Sequence, residues 1–415
     1  MSLPRHINGN QREDSPLLPS NNRGRDEGPH GWRDILENKM TWAWYTTIMS
    51  SGGVALIIFN LPYAVKPLWI VGGIVYMASL IGFLLLLLIH LTRFALNPRV
   101  LPASITHHSE GLFVSTFAAA LGILIIDGAT YSEKMHTTHG MALRAFYWIF
   151  VGVAVLFGVA TPLLQFSRTR AAAAVVRVDG VDATPAADYS PMAIQQILPL
   201  TLVGYAASTV VSHIDPIKGH HLAMPILYTA TAVQGMGALL GLVYLAGFVD
   251  SLYRNALPSI ARRPSMFVSV GPPAFTALSF ALMAEQSLRH FPADPSAPGG
   301  TFEVVGGVAL YYIGMVMALM FWGLAAWFFC VSVLGNIVAL GEMDIGVQQL
   351  QMFALIFPNV GFALASTHLA RLLGYPKILA VGAEVLDLVV IFSWAIVAIA
   401  MIFGVVSGRI FRGSI

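Results

Sequence analysis

The chain has 415 residues, 56% of them hydrophobic and only 11% Asp, Glu, Lys or Arg, against about 25% charged residues in a soluble domain. With a mean hydropathy of +0.72, this composition excludes a water-soluble globular protein, a disordered chain and a nucleic-acid binder. A net charge of +2 offers no field for an acidic polymer, and one cysteine, Cys330, excludes a disulfide framework or a cysteine-based metal site.

Residues 1–39 are polar and rich in Pro, Gly, Asn and Arg, and read as a disordered tail without a cleavable signal. Within it, Glu13 to Leu18 fits an acidic dileucine sorting pattern. Crossing a hydrocarbon core about 30 Å thick takes roughly 20 apolar residues in a helix. Ten such runs follow, near 40–60, 68–92, 111–130, 145–166, 192–212, 222–249, 265–285, 304–331, 349–369 and 378–406. Residues 40–408 therefore form one ten-span domain, and 409–415 a short C-terminal tail. With an even number of spans, both termini share a side. Sixteen of the 23 basic residues fall on that side, including Arg93, Arg99, Arg262 and Arg263, and seven on the other. The positive-inside rule makes the richer side cytoplasmic.

Proline and glycine alternate with the spans. The odd spans carry breakers in their interiors: Gly52-Gly53, Gly122, Pro199, Pro272-Pro273 and Pro358. The even spans keep proline to their ends, at Pro162 and Pro225, or lack it. A proline inside a helix removes a hydrogen bond and bends the axis, and freed carbonyls in lipid need protein or a wet cavity. The expected architecture is an all-α polytopic membrane protein of five helical hairpins, with kinked odd helices inside around a central pore and straighter even helices outside.

The residues also carry a family resemblance. The run from Thr41 through Trp42, Trp44, Ser50, Ser51, Gly52 and Gly53 to Ala55 resembles the first helix of the tellurite-resistance/dicarboxylate transporter family, in its fungal malic acid permease branch. Thr106-His107-His108-Ser109-Glu110-Gly111-Leu112-Phe113 resembles that family's loop before the third helix, with His108 where the family usually has proline. The segments from Arg263 to Thr276 and from Phe357 to Phe362 resemble its seventh and ninth helices. The resemblance implies five hairpins around a pore, a possible homotrimer with one pore per subunit, and a small organic anion as substrate. C4-dicarboxylates such as malate and succinate come first, and sulfite or another small anion is the alternative. It also implies that Phe357, beside Pro358, is the pore gate. A bulky apolar ring at a kink blocks ions sterically and by dewetting.

No Lys or Arg falls inside the spans as drawn, so an anion in transit needs another source of positive potential. Broken helices supply free backbone N–H groups and dipole ends. The candidate anion-binding or pore-lining residues are Ser50, Ser51, Gly52, Gly53, Thr201, Ser269, Gly271, Pro272, Thr276 and Pro358. Each hydroxyl has a structural alternative, bonding back to the preceding helical turn. Intramembrane acids are functional candidates. Asp127, near the far end of the third span, is a candidate for proton coupling or an interfacial residue. Glu384 and Asp387 share one face of the tenth span, where a structural role is expected, and Glu285 is expected to be solvated at a helix end.

His107, His108, His213, His220 and His221 sit near span ends or in loops, as possible pH sensors. None forms a metal-ligand pattern, and neither metal nor cofactor is expected. An enzyme needs a nucleophile and base together. Ser109-Glu110 beside His107-His108 supplies the residue types, but no hydrolase, zincin or phosphate-loop motif occurs. The expected role is transport across a bilayer, most naturally the plasma membrane, with a vacuolar or endosomal membrane as the alternative.

Overall fold

The computed structural model describes residues 31–62, 66–107, 109–134, 140–178, 191–216, 218–291, 300–338 and 349–412. The dileucine pattern, His108, residues 1–30 and 413–415 lie outside them. Among the described residues every regular element is helical. Nine helices among the described residues are long and apolar enough to cross a membrane: Trp42–Asn60, Lys66–Leu96, Glu110–Ser132, Gly140–Ser167, Pro191–Val211, His220–Asn255, Arg262–His290, Val305–Ile337 and Lys377–Val406. A further helix, Gln349–Leu372, lies at the ninth predicted position. At 1.5 Å per residue its 24 residues extend about 36 Å. These ten are numbered as spans in chain order.

The spans form five antiparallel hairpins, one–two through nine–ten. The odd members close a ring in which first packs on third, third on fifth, fifth on seventh, seventh on ninth and ninth on first. Each even span fills the outer groove between its hairpin partner and the next odd span. In their most apolar windows, 89%, 78%, 94% and 89% of residues are buried in the first, third, fifth and seventh spans. The corresponding shares are 22%, 33%, 39%, 28% and 17% in the second, fourth, sixth, eighth and tenth. The ninth is buried continuously from Ile356 to Ser366. The even helices turn Leu84, Leu88, Ile396 and Phe403 outward, as a lipid-facing surface should.

The breakers divide into two groups. The seventh span changes from a 3-10 helix, Ile260–Val270, to an α-helix at Gly271. The fifth comes in three pieces, Pro191–Ile197, Leu198–Thr201 and Val203–Val211. The first and third, by contrast, run unbroken through Gly52-Gly53 and Gly122. Those glycines serve close packing: a Cβ on Gly122 would stand 2.5 Å from the Phe150 ring. The ninth helix also continues through Pro358. Nor is proline confined to even-helix ends, because the fourth helix extends to Val178 and encloses Pro162, and Pro225 lies in the second turn of the sixth.

The second helix likewise runs on to Leu96. Arg93, expected in a loop, is thus inside a helix and fully buried. Its Nη1 donates to Glu110 Oε1 at 2.9 Å and its Nη2 to the Glu37 carbonyl at 2.7 Å. The expectation of spans free of basic residues fails at this one buried position, where a carboxylate and a carbonyl compensate the charge. The pair also ties the helical segment Trp32–Lys39, assigned to the tail from sequence, to the bundle.

Candidate functional site: the centre of the inner ring

Phe357 is fully buried and stacks on Phe275 of the seventh span, with ring centroids 4.8 Å apart and planes at 27°. The stack has room because position 361 is glycine: a Cβ there would lie 2.8 Å from the Phe275 ring. Beside it, a Cβ on Gly271 would stand 3.6 Å from Pro358. The helix change at Gly271-Pro272 and the proline of the ninth span therefore meet next to the two rings. Ser50 Oγ donates to the Phe353 carbonyl at 3.3 Å, one turn before Phe357, and Gly53 lies against Val360. Ser50, Gly53, Gly271, Phe357 and Pro358 thus belong to one neighbourhood of the ring.

Other candidates have different partners. Ser51 accepts a hydrogen bond from Trp394 Nε1 at 2.9 Å, so it faces the outer tenth span. Gly52 faces the third span, where a Cβ would stand 2.7 Å from Asp127 Oδ2. Thr201 and Ser269 donate back to the Leu198 and Met266 carbonyls at 2.8 and 2.6 Å, the habit of hydroxyls in helices. Thr276 accepts from Gln234 Nε2 at 3.2 Å, while Gln234 Oε1 accepts from the Gly204 backbone N–H at 3.1 Å. This fully buried amide of the sixth span bonds an N–H just beyond the break in the fifth.

Asp127 is fully buried rather than interfacial, and neither carboxyl oxygen has a hydrogen-bond partner among the described residues. Asp387 is buried and accepts from Thr367 at 2.9 Å, which ties the tenth span to the ninth. Glu285 is not a freely solvated end residue. It faces Arg371 at 3.3 Å and His368 at 3.5 Å across the seventh–ninth contact. His213 and His220 bond the Ala129 and His290 carbonyls, both at 2.8 Å. The described residues hold no group of three or more potential metal ligands. Glu110, the carboxylate of the hydrolase-like cluster, is committed to Arg93, and its backbone N–H donates to His107 Nδ1 at 3.3 Å.

The family pattern of voltage-dependent anion channels, SLAC1, matches residues 39–402. The chain belongs to that family. It is 27% identical over 367 residues to a malic acid transport protein of Schizosaccharomyces pombe, covering 87% of this chain and 77% of that one. A putative malic acid transport protein of the same yeast is 26% identical, over 88% and 79% of the two chains. A sulfite efflux pump of Trichophyton rubrum is 21% identical, over 89% and 92%. Membership in the SLAC1 family fits the ring of buried odd spans and makes this a multi-pass membrane protein of an anion-transporting family.

Sequence reasoning missed three residues that the structure makes central. Phe275 follows two residues after Pro272-Pro273, inside the very segment that carries the family resemblance. Gln234 is a lone amide in an otherwise apolar run, a signal that was available. Arg93 gave no signal, because only the length of the second helix puts it indoors.

Proposed function

We propose that this chain carries C4-dicarboxylates, malate or succinate, through the centre of the inner ring, with Phe357 as its gate. The observation that carries the reading is the buried Phe357–Phe275 stack at the junction of Gly271 and Pro358, in a family of anion channels. The substrate class follows the two yeast relatives named for malic acid transport. Backbone N–H groups at the breaks of the fifth and seventh spans supply positive potential to an anion. Asp127 serves as a proton-coupling carboxyl. The richer basic side is cytoplasmic, the subunits assemble as trimers with one pore each, and the plasma membrane is the site of action. Sulfite is the second reading, favoured by the likeness to the sulfite efflux pump. No catalytic role is assigned.

Moving one charge across 100 mV costs about 2.3 kcal/mol. An inside-negative potential therefore favours exit of a malate dianion and opposes its entry, a cost halved for the monoanion and offset by coupled protons. The test is flux of labelled malate against labelled sulfite in one vesicle preparation, with pH and potential clamped separately. Malate flux above sulfite flux supports the reading, and sulfite flux alone overturns it.

A further inference from the structure

We propose that Arg371, with His368 and Arg289, forms a carboxylate-docking site at the mouth opposite the N-terminus, and that Glu285 is its built-in occupant. The inference deepens the dicarboxylate reading by placing a first contact for substrate outside the gate. Arg371 lies in the last turn of the ninth span and Glu285 near the end of the seventh, neighbours in the inner ring. These are the spans that carry Phe357 and Phe275. Ten and fourteen residues along a helix put the cluster about 15–21 Å beyond the stack, at the ends of the two spans that carry it.

The hold on Glu285 is loose and incomplete. Arg371 Nη2 lies 3.3 and 3.4 Å from its two oxygens, longer than the 2.7–2.9 Å usual for a charge-assisted bond. The same nitrogen donates to His368 Nε2 at 2.6 Å. Nε and Nη1 of Arg371 make no hydrogen bond among the described residues, and its side chain is 45% exposed. A guanidinium presents a planar fork suited to bidentate carboxylate binding. Here one tine touches a carboxylate of the chain, and the half-exposed fork keeps its other donors without a partner among the described residues. An incoming carboxylate takes the place of Glu285 on the fork, exchanging one carboxylate contact of Arg371 for another. The released Glu285 keeps a cation within reach, because Arg289 is one helical turn further along.

A purely structural role, with Arg371 bracing two helix ends, makes a different prediction. It has Glu285→Gln lower stability without altering affinity for a ligand. Displacement of an internal occupant raises apparent affinity when that occupant is removed, in proportion to the fraction of time it fills the site.

The experiment reads the thermal midpoint of the purified full chain as succinate is titrated. Dimethyl succinate serves as the neutral control and chloride matches ionic strength. E285Q should reach half-maximal shift at about tenfold lower succinate than the wild type, the gain expected if Glu285 fills the site nine-tenths of the time. R371A should need more than about tenfold higher succinate, and R371K several-fold higher, since lysine keeps charge but loses the fork. The E285Q/R371A double variant should match R371A, and E384Q, at the same end, should match the wild type.

An unchanged or weaker half-maximal concentration in E285Q overturns the proposal, as does a gain that survives in the double variant. So does the absence of any succinate-dependent shift in wild type and E285Q alike. If E285Q does not fold, R371K decides, with wild-type affinity counting against the site. The readout is binding, so a chain that binds this way but carries no malate removes the transport reading and leaves this one standing.

Discussion

At the residue scale, the consequential features are two aromatic rings and two unusual ionisable groups. An aromatic pair adds about 0.5–1.5 kcal/mol beyond its buried area, small enough for a ring to swing aside within a working cycle. Phe357→Ala should raise anion flux, measured in proteoliposomes at matched protein content. Phe275→Ala should do so as well, with the double variant no leakier than the stronger single one. Unchanged flux in Phe357→Ala at normal stability would sink the gate. Arg93 is a different case. Its removal leaves Glu110 buried without a partner, and breaking a buried pair costs about 3–5 kcal/mol. Arg93→Ala should therefore lower the thermal midpoint sharply, with Arg93→Ala/Glu110→Gln recovering part of the loss. Asp127→Asn should keep malate flux while flattening its dependence on an imposed proton gradient. A gradient dependence identical to wild type would remove Asp127 from proton coupling.

At the scale of the elements, glycine and proline turned out to do different work from one span to the next. The sequence marks both as breakers because both weaken an isolated helix. In the bundle, Gly52 and Gly122 sit where a neighbouring side chain occupies the volume of a Cβ, and small residues of this kind let membrane helices approach. Gly52→Val should lower the thermal midpoint, at a cost of about 1–3 kcal/mol for overpacking, whereas a wild-type midpoint would show that the first and third spans have slack. Among the described residues, the seventh span changes from 3-10 to α-helix in mid-course at Gly271, and the fifth does so at Leu198 and is interrupted again at Leu202. In the fifth, the Gly204 N–H left without an intrahelical partner beyond the break is taken by the Gln234 amide of the sixth span. Propensity along the fifth span alone contains no trace of that partner.

For the whole molecule, the odd–even rhythm of proline and glycine anticipated a ring of odd spans inside a shell of even ones. Burial of the odd spans and exposure of the even ones match it. The rhythm was a sound guide to position even where its local cause was misjudged, because inner helices need small residues and irregular backbone more than outer ones do. Ten spans return the chain to its starting side. Tags at the two ends should therefore behave alike, both shielded in intact cells and both labelled after permeabilisation if the side richer in Lys and Arg is the inner one. Labelling of the two ends from opposite faces would refute the ten-span topology. If the carried species is the dianion, efflux should rise steeply as the interior is made negative, which clamped vesicles measure directly.

The sequence alone was enough for the class, the number of spans and which of them lie inside. These follow from hydropathy and spacing along the chain, which a bilayer reads almost directly. It also singled out Phe357, through resemblance. Which side chains meet is a matter of packing. Ser51 faces outward to Trp394, Asp127 lies against Gly52, Gln234 bridges the fifth and seventh spans, and Glu285 lies against Arg371 across two helix ends. The rotation of each helix about its axis sets those pairings. In a span apolar on every side, the pattern of residues along the chain leaves that rotation open until its neighbours pack against it.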